Sequence, residues 1–245
     1  MIWKLLAGAV LGFAALAVAV PSQAEPVKLR IAYVVPGADT PFLVLKPDVA
    51  KNEGKTYTLD MIHFNGTPPM ITAMASGELD IVPFAYSSFA LAVVNAGMKD
   101  LRIISDNFQD GAPGYYSIEY MVRKDSPIKT VEDLKGKVVA SNVQGSAVDM
   151  AIRAMLAKHG LRPDRDVSFV EVQFPNMKAE LQEKKVDLIS AVRPFSADPG
   201  LRAMARTLFY QRQAIGRSEM IINVAKAEFL KQHRQAIVDY LADEL

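Results

Sequence analysis

The chain has 245 residues, a formal net charge of +1 and no cysteine, and half of its residues are hydrophobic. That length suffices for one large domain or two lobes with buried cores, and a fold without cysteine is held by packing alone. No run of like charge reaches five residues, which disfavours both a nucleic-acid stripe and a polybasic membrane patch and points to a small, neutral or singly charged partner.

Residues 1–24 read as a secretory signal peptide. Lys4 supplies the positive end, residues 5–20 form an unbroken apolar run, and Pro21-Ser22-Gln23-Ala24 brings small residues to a cleavage position after Ala24. The run is short for a membrane span and contains Gly8 and Gly12, so no stable membrane insertion is expected. The expectation is an exported, periplasmic chain in which, once Lys4 is removed, basic and acidic side chains balance.

From there short β-branched runs alternate with longer helical patterns, the rhythm of an α/β fold. Strands are expected over 29–35, stopping at Pro36-Gly37, and over 56–63, stopping at Asn65-Gly66. Thr67 is placed as the N-cap of a helix with Pro68 at its first position, where a missing N–H costs nothing. Residues 81–84 read as a buried strand, Ser87-Ser88 as the cap of a helix over 89–96, and 101–105 as a further strand. Thr130-Val131-Glu132-Asp133 has the form of a capping box. A strand over 138–141 leads through Gln144-Gly145-Ser146 into an amphipathic helix over 146–158, ended by Gly160. Strands over 167–172 and 188–192 flank a helix over 176–183.

The second half repeats the first. Met70-Ile71-Thr72-Ala73 followed by Leu79-Asp80-Ile81-Val82 matches Met177-Lys178-Ala179-Glu180 followed by Val186-Asp187-Leu188-Ile189, with the same spacing from Met to Asp. Phe64 and Phe174 precede the two helices. Two similar lobes are expected.

With Asp133-Leu134-Lys135-Gly136-Lys137-Val138-Val139 and Gly145-Ser146-Ala147, the sequence resembles the periplasmic substrate-binding proteins of ABC importers for sulfonates, taurine, nitrate and related small molecules. The resemblance includes Gly66-Thr67-Pro68-Pro69, Ala75-Ser76-Gly77-Glu78-Leu79-Asp80 and Val192-Arg193-Pro194-Phe195, and runs from about Lys28 to Tyr240. It implies a two-lobed type 2 periplasmic-binding fold closing on a ligand. Lobe 1 would be 25–116 with 218–245 returning to it, lobe 2 would be 124–214, and hinge strands would run at about 117–123 and 218–224. Two departures accompany it. The chain stops at Asp243-Glu244-Leu245 where relatives continue with further helices, so the C-terminal helices read as truncated, and the segment after Thr40 is short and interrupted by Pro47.

Ligands of open α/β sheets sit beyond the carboxyl ends of the strands, and helix N-termini there offer free N–H groups to anions. The candidate ligand-binding residues follow from that placement. Thr40, Thr67 and Ser146 offer hydroxyls at helix starts, where each also serves as a cap, and Ser87 lies at another. Gly145 lets backbone approach an oxyanion, and Asn142 and Gln144 offer amides. Arg193 can take a sulfonate or carboxylate bidentately, or else pair on the surface with Asp198. Phe84, Tyr86 and Phe195 can flank an apolar body, although Phe84 reads equally well as core, and Tyr115-Tyr116 lie just before the crossing. Asp39 would repel an anion unless it points away or pairs with the amine of a zwitterion such as taurine.

Catalysis is not expected. His63, His159 and His233 lack metal-ligand spacing, and there is no nucleophilic Cys or Gly-x-Ser-x-Gly elbow. The resulting expectation is a monomeric, cofactor-free and metal-free solute-binding protein that takes a small organic anion and delivers it to an ABC permease with its ATPase. A ligand-sensing module for a membrane receptor, a truncated paralogue that binds nothing, and a pyrimidine-precursor binding protein or enzyme of the thiamine pathway are the alternatives.

Overall fold

A computed structural model describes residues 25–36, 46 and 48–245. The expected signal peptide, the helix start at Thr40-Pro41, Asp39 and the break at Pro47 lie outside the described residues.

In chain order the first half gives β1 (Val27–Tyr33), β2 (Tyr57–His63), α1 (Thr67–Ala75), β3 (Ile81–Ala85), α2 (Tyr86–Val94) and β4 (Leu101–Asp110). The second gives β5 (Glu119–Arg123), β6 (Val138–Ser141), α3 (Ala147–Lys158), α4 (Pro163–Asp166), β7 (Ser168–Glu171), α5 (Met177–Gln182), β8 (Leu188–Ala191), α6 (Pro199–Met204), β9 (Ala205–Tyr210) and α7 (Gln211–Ile215). The chain then returns through β10 (Ser218–Lys226), α8 (Ala227–Gln232) and α9 (Arg234–Glu244).

These strands form two five-stranded sheets, ordered β2-β1-β3-β10-β4 and β7-β6-β8-β5-β9. The two orders are the same architecture twice: three parallel strands, then one antiparallel strand, then an edge strand antiparallel to it. The antiparallel strand of the first sheet, β10, comes from the end of the chain, so the chain passes between sheets twice, at 111–118 and at 216–217.

Alternation along β1 explains its central place. Leu29 and Ile31 enter one core with Tyr57, Ile237 and Tyr240, while Ala32 enters another with Met70, Met74, Val82 and Phe84. Both faces of the strand are thereby covered, by α1 and α2 on one side and by α9 on the other. The last helix is also held by polar contacts: Asp243 accepts hydrogen bonds from Tyr57 Oη (2.7 Å) and from the backbone and side-chain nitrogens of Asn52 (2.9 Å each).

The repeated sequence unit has one structural meaning in both sheets. Asp80 N donates to Arg30 O while its carboxylate accepts from Arg30 N; Asp187 does the same with Val138. Each Asp thus locks the start of a strand to its neighbour.

Three local expectations are corrected. Thr67 is not a cap but the first helical residue; Gly66 precedes it with extended backbone, and the Thr67 hydroxyl bonds Ser88 Oγ at 2.6 Å. Gly66 is required because a Cβ there would lie 2.8 Å from Asn142 Nδ2 and 2.9 Å from Val143 Cγ2. Ser87-Ser88 do not cap α2 either. β3 runs straight into the helix, which starts at Tyr86 behind the extended Ala85, and this leaves the serine hydroxyls for neighbouring helices. The strand expected over 101–105 continues to Asp110. Ser146, by contrast, is the N-cap of α3, its hydroxyl accepting from Asp149 N at 3.3 Å.

The two passages between sheets are tied together at a buried carboxylate. Asp110 is fully buried and accepts from Ser117 Oγ (2.7 Å) and Ile118 N (2.8 Å), and Ser117 Oγ accepts in turn from Arg212 N (3.1 Å). Burial raises the Asp110 carboxyl above its ordinary pKa. Gly111, in left-handed backbone, lets the strands cross, since a Cβ would fall 2.6 Å from Arg212 Cβ.

Candidate functional site

A cavity of about 530 Å³ lies between the two sheets, within the size range of small-molecule pockets. Lobe 1 contributes Val35, Thr67, Ala85, Asn107 and Phe108; lobe 2 contributes Asn142, Ala147, Val148, Phe174 and Arg193. Tyr116 and Ile118 from one passage and Met220 and Ile221 from β10 close the back. The walls are largely apolar, and Arg193 is the one charged residue among the described residues that line them.

Arg193 is positioned by aromatic stacking. Its guanidinium lies 5.0 Å from the centroid of the Tyr116 ring, a cation–π contact, and Tyr116 in turn packs against Phe108 with centroids 6.2 Å apart. The Tyr116 hydroxyl donates to Ala191 O at 3.0 Å and lies 3.4 Å from Ser196 Oγ. Burial pushes the Tyr116 phenol up to about 12, so it remains a neutral platform at physiological pH. Asp198 does not pair with Arg193; it bonds Lys178 Nζ at 2.8 Å. Among the described residues Arg193 has no ion-pair or hydrogen-bond partner, and its donors remain for a ligand.

The helix ends contribute differently from the sequence-based expectation. At α3, Gly145 N donates to Asp149 Oδ2 (2.9 Å), and the Ser146 hydroxyl donates to Asn142 Oδ1 (2.7 Å). Both donors are therefore committed within the protein, and Asp149 is itself balanced by Arg153 at 2.9 Å. The next two amides, of Ala147 and Val148, have no acceptor among the described residues, and both residues line the cavity. At α1 the Thr67 amide is likewise open, but Pro68 and Pro69 remove the two that would follow it.

Of the expected site residues, Thr67, Asn142, Ser146 and Arg193 come together on the cavity wall. Others are displaced for identifiable reasons. Phe84 is fully buried in the lobe 1 core, away from the cavity. Tyr86 and Phe195 pack against the core that runs through lobe 2 and are not on the wall. Gln144 is exposed, its backbone N–H donating to Glu171 Oε1 at 2.7 Å. Ser87 and Gly145 meet each other, Oγ to carbonyl at 3.3 Å, at the rim where the lobes touch; Asn142 Nδ2 adds a second bridge to Asn65 O at 2.9 Å. Tyr115 is exposed, while its neighbour Tyr116 faces the cavity. Thr40 lies outside the described residues.

The residues missing from the sequence reading are mostly apolar: Val35, Phe108, Phe174, Met220 and Ile221, together with Asn107. Phe174 carried a signal, as the repeat partner of Phe64. Met220 and Ile221 lie on a strand that returns from the far end of the chain, which no local pattern reveals.

Two sheets of one strand order, with a cavity between them, define a two-lobed periplasmic-binding fold. The NMT1-like family model matches residues 22–237, and the chain belongs to that family. Its fold is similar to that of the periplasmic aliphatic sulphonate binding protein SsuA from Escherichia coli, at 22% identity and a TM-score of 0.67, covering 90% of this chain and 72% of that one. The alkanesulfonate-binding protein SsuA from Xanthomonas axonopodis pv. citri, bound to MOPS, gives 21% identity and a TM-score of 0.72 over 90% of this chain and 73% of that one. The periplasmic nitrate-binding protein NrtA from Synechocystis PCC 6803 gives 14% identity and a TM-score of 0.67 over 89% and 60%. Among the described residues, no helix is long and apolar enough to cross a membrane, and no cluster of His, Cys, Asp and Glu could hold a metal ion.

Proposed function

We propose that this chain is a periplasmic solute-binding protein that captures a small organic anion, aliphatic sulfonate or aromatic carboxylate in type, and delivers it to an ABC permease. The observation that carries the proposal is Arg193, without an ion-pair or hydrogen-bond partner among the described residues, on an otherwise apolar cavity that it shares with the first two amides of α3. Guanidinium and open amides suit an oxyanion head, and the apolar walls suit a carbon body rather than nitrate alone. The sulfonate-binding proteins that share this fold support the same class of ligand.

Capture follows from the geometry of the walls. A ligand touching Arg193 and α3 on one side and Phe108 and Val35 on the other interacts fully only when the lobes are together. It therefore favours the closed arrangement by the difference in its contacts with the two states. The permease would recognise that closed form. Micromolar affinity corresponds to about 8 kcal/mol.

A thermal-shift screen of the purified protein with alkanesulfonates, taurine, nitrate, aromatic carboxylates and aminopyrimidines tests the proposal. Binding to the native state raises the melting point by mass action. A concentration-dependent rise with one organic-anion class is expected. A rise with aminopyrimidines alone, or none with any anion, would contradict it.

A further inference from the structure

We propose that the contact between the lobes at the mouth of the cavity is a latch, and that Gly66, by its lack of a side chain, sets how tightly the protein holds a ligand through closure rather than through contact with the ligand. This rests on the solute-binding proposal above and concerns the same cavity.

The latch joins the loop before α1, Asn65-Gly66, to the loop before α3, Asn142-Val143. Asn142 Nδ2 donates across the gap to Asn65 O at 2.9 Å. That oxygen is a backbone carbonyl and can only accept, so the amide nitrogen of Asn142 must be the atom that faces it. Asn142 Oδ1 is left for its own lobe, where it accepts from the Ser146 hydroxyl at 2.7 Å. Ser146 Oγ has its proton free for that bond, because toward Asp149 N, at 3.3 Å, it is an acceptor. The cap of α3 therefore holds the arm of the latch, and the helix whose first two amides are open to the cavity carries that arm with it. A second bond across the gap runs from Ser87 Oγ on α2 to Gly145 O at 3.3 Å.

Gly66 supplies the steric half. Its backbone is fully extended, with φ of 175° and ψ of 176°, a conformation open to any residue. The demand for glycine comes instead from the other lobe. The three atoms nearest to where a Cβ would stand are Asn142 Nδ2 at 2.8 Å, Val143 Cγ2 at 2.9 Å and Val143 Cβ at 3.1 Å. All three belong to the loop that moves away when the lobes part. The same loop rests on lobe 1 at Gly145, where a Cβ would lie 3.8 Å from Pro68 Cγ and 3.9 Å from Leu91 Cδ1.

None of these contacts includes the ligand. They favour the closed state by the same amount whichever anion is inside, so they scale all affinities together: the apparent dissociation constant is the intrinsic one divided by the closed fraction. Arg193 and the apolar walls select the ligand, and the latch sets the strength with which it is kept. A methyl group on Gly66 would wedge the mouth apart while leaving every donor of the cavity in place.

Two measurements on the full-length wild-type, Gly66→Ala and Ser87→Ala proteins test this. Small-angle scattering without ligand reads the latch by itself: the wild type should match the closed structure, and Gly66→Ala should give a larger radius of gyration. Isothermal titration with 1-butanesulfonate and with 4-methylbenzenesulfonate reads its effect on capture. Gly66→Ala should bind both anions about tenfold more weakly. Ser87→Ala, which loses one bond away from the cavity wall, should bind both about threefold more weakly. The ratio between the two anions should stay unchanged in each variant, which a residue that touched the ligand would not give. Equal radii for the wild type and Gly66→Ala, unchanged affinities, or a loss confined to one anion would overturn the latch. If Gly66→Ala fails to fold, unchanged affinities in Ser87→Ala overturn it. Binding of neither anion by the wild type, with radii that differ as expected, would overturn the solute-binding proposal and leave the latch standing.

Discussion

The two lobes build the same helix–turn–strand unit but secure its turn in different ways. After α1 the turn uses Gly77, with φ of 80°, and after α5 the equivalent position is Lys184, with φ of 62°. Glycine adopts that left-handed conformation freely, whereas a residue with a Cβ is strained there by about 1–2 kcal/mol. The carboxylates differ too. Asp80 holds both the Arg30 backbone and its side chain, through Nε at 2.8 Å and Nη2 at 2.6 Å, whereas Asp187 holds only Val138 N at 3.0 Å. Geometry is therefore shared where local chemistry is not: lobe 1 sets its turn locally, and lobe 2 tolerates strain because Leu181 and Leu188 on either side are fully buried.

That contrast can be broken at its strongest point first. Asp80→Ala removes a buried carboxylate from Arg30, which reaches solvent and so is only partly stranded; a loss of about 2–3 kcal/mol is expected in urea denaturation. Lobe 2 has its own buried carboxylate, Glu119, which accepts from Arg202 and Thr207. Burial pushes Glu119 up, but those two partners outweigh it and hold it below its ordinary pKa. The sign follows: its contribution is present above the unfolded carboxyl pKa and disappears as pH falls through the lower folded one. Glu119→Gln should cost about 2 kcal/mol at pH 7 and flatten the acid limb of a melting-temperature profile, while an unchanged limb would remove Glu119 from the explanation. Asp187→Ala, which loses one charged contact to backbone, should cost about 1–2 kcal/mol, less than Asp80→Ala. Smallest, and opposite in sign, Lys184→Gly should stabilise by about 0.5–1 kcal/mol as strain is relieved, whereas Gly77→Ala should destabilise.

The repeat, the α/β alternation and α3 with its Ser146 cap were legible because periodicity and capping are local. β4 was cut short because its last residues, Asp106, Asn107, Gln109 and Asp110, are polar. They face the cavity, the buried knot between the sheets or their neighbours rather than an apolar core, so the usual strand signal fades where the strand matters most for the site. The helix starts at Thr67 and Tyr86 misled for a related reason: hydroxyls next to a helix start look like caps, yet here they join helices to each other. Arg193 was readable as an anion ligand from its place after β8, but its isolation depends on Lys178 having taken Asp198.

The most direct test is isothermal titration of the wild-type and Arg193→Ala proteins with the organic anion that gives the largest thermal shift. A capture site built on Arg193 predicts micromolar binding by the wild type and a loss of about 10- to 100-fold in the variant, with its melting point little changed because the side chain is exposed. Equal affinity of the two proteins would mean that the anion sits elsewhere, and would contradict the assignment of this cavity as the ligand site.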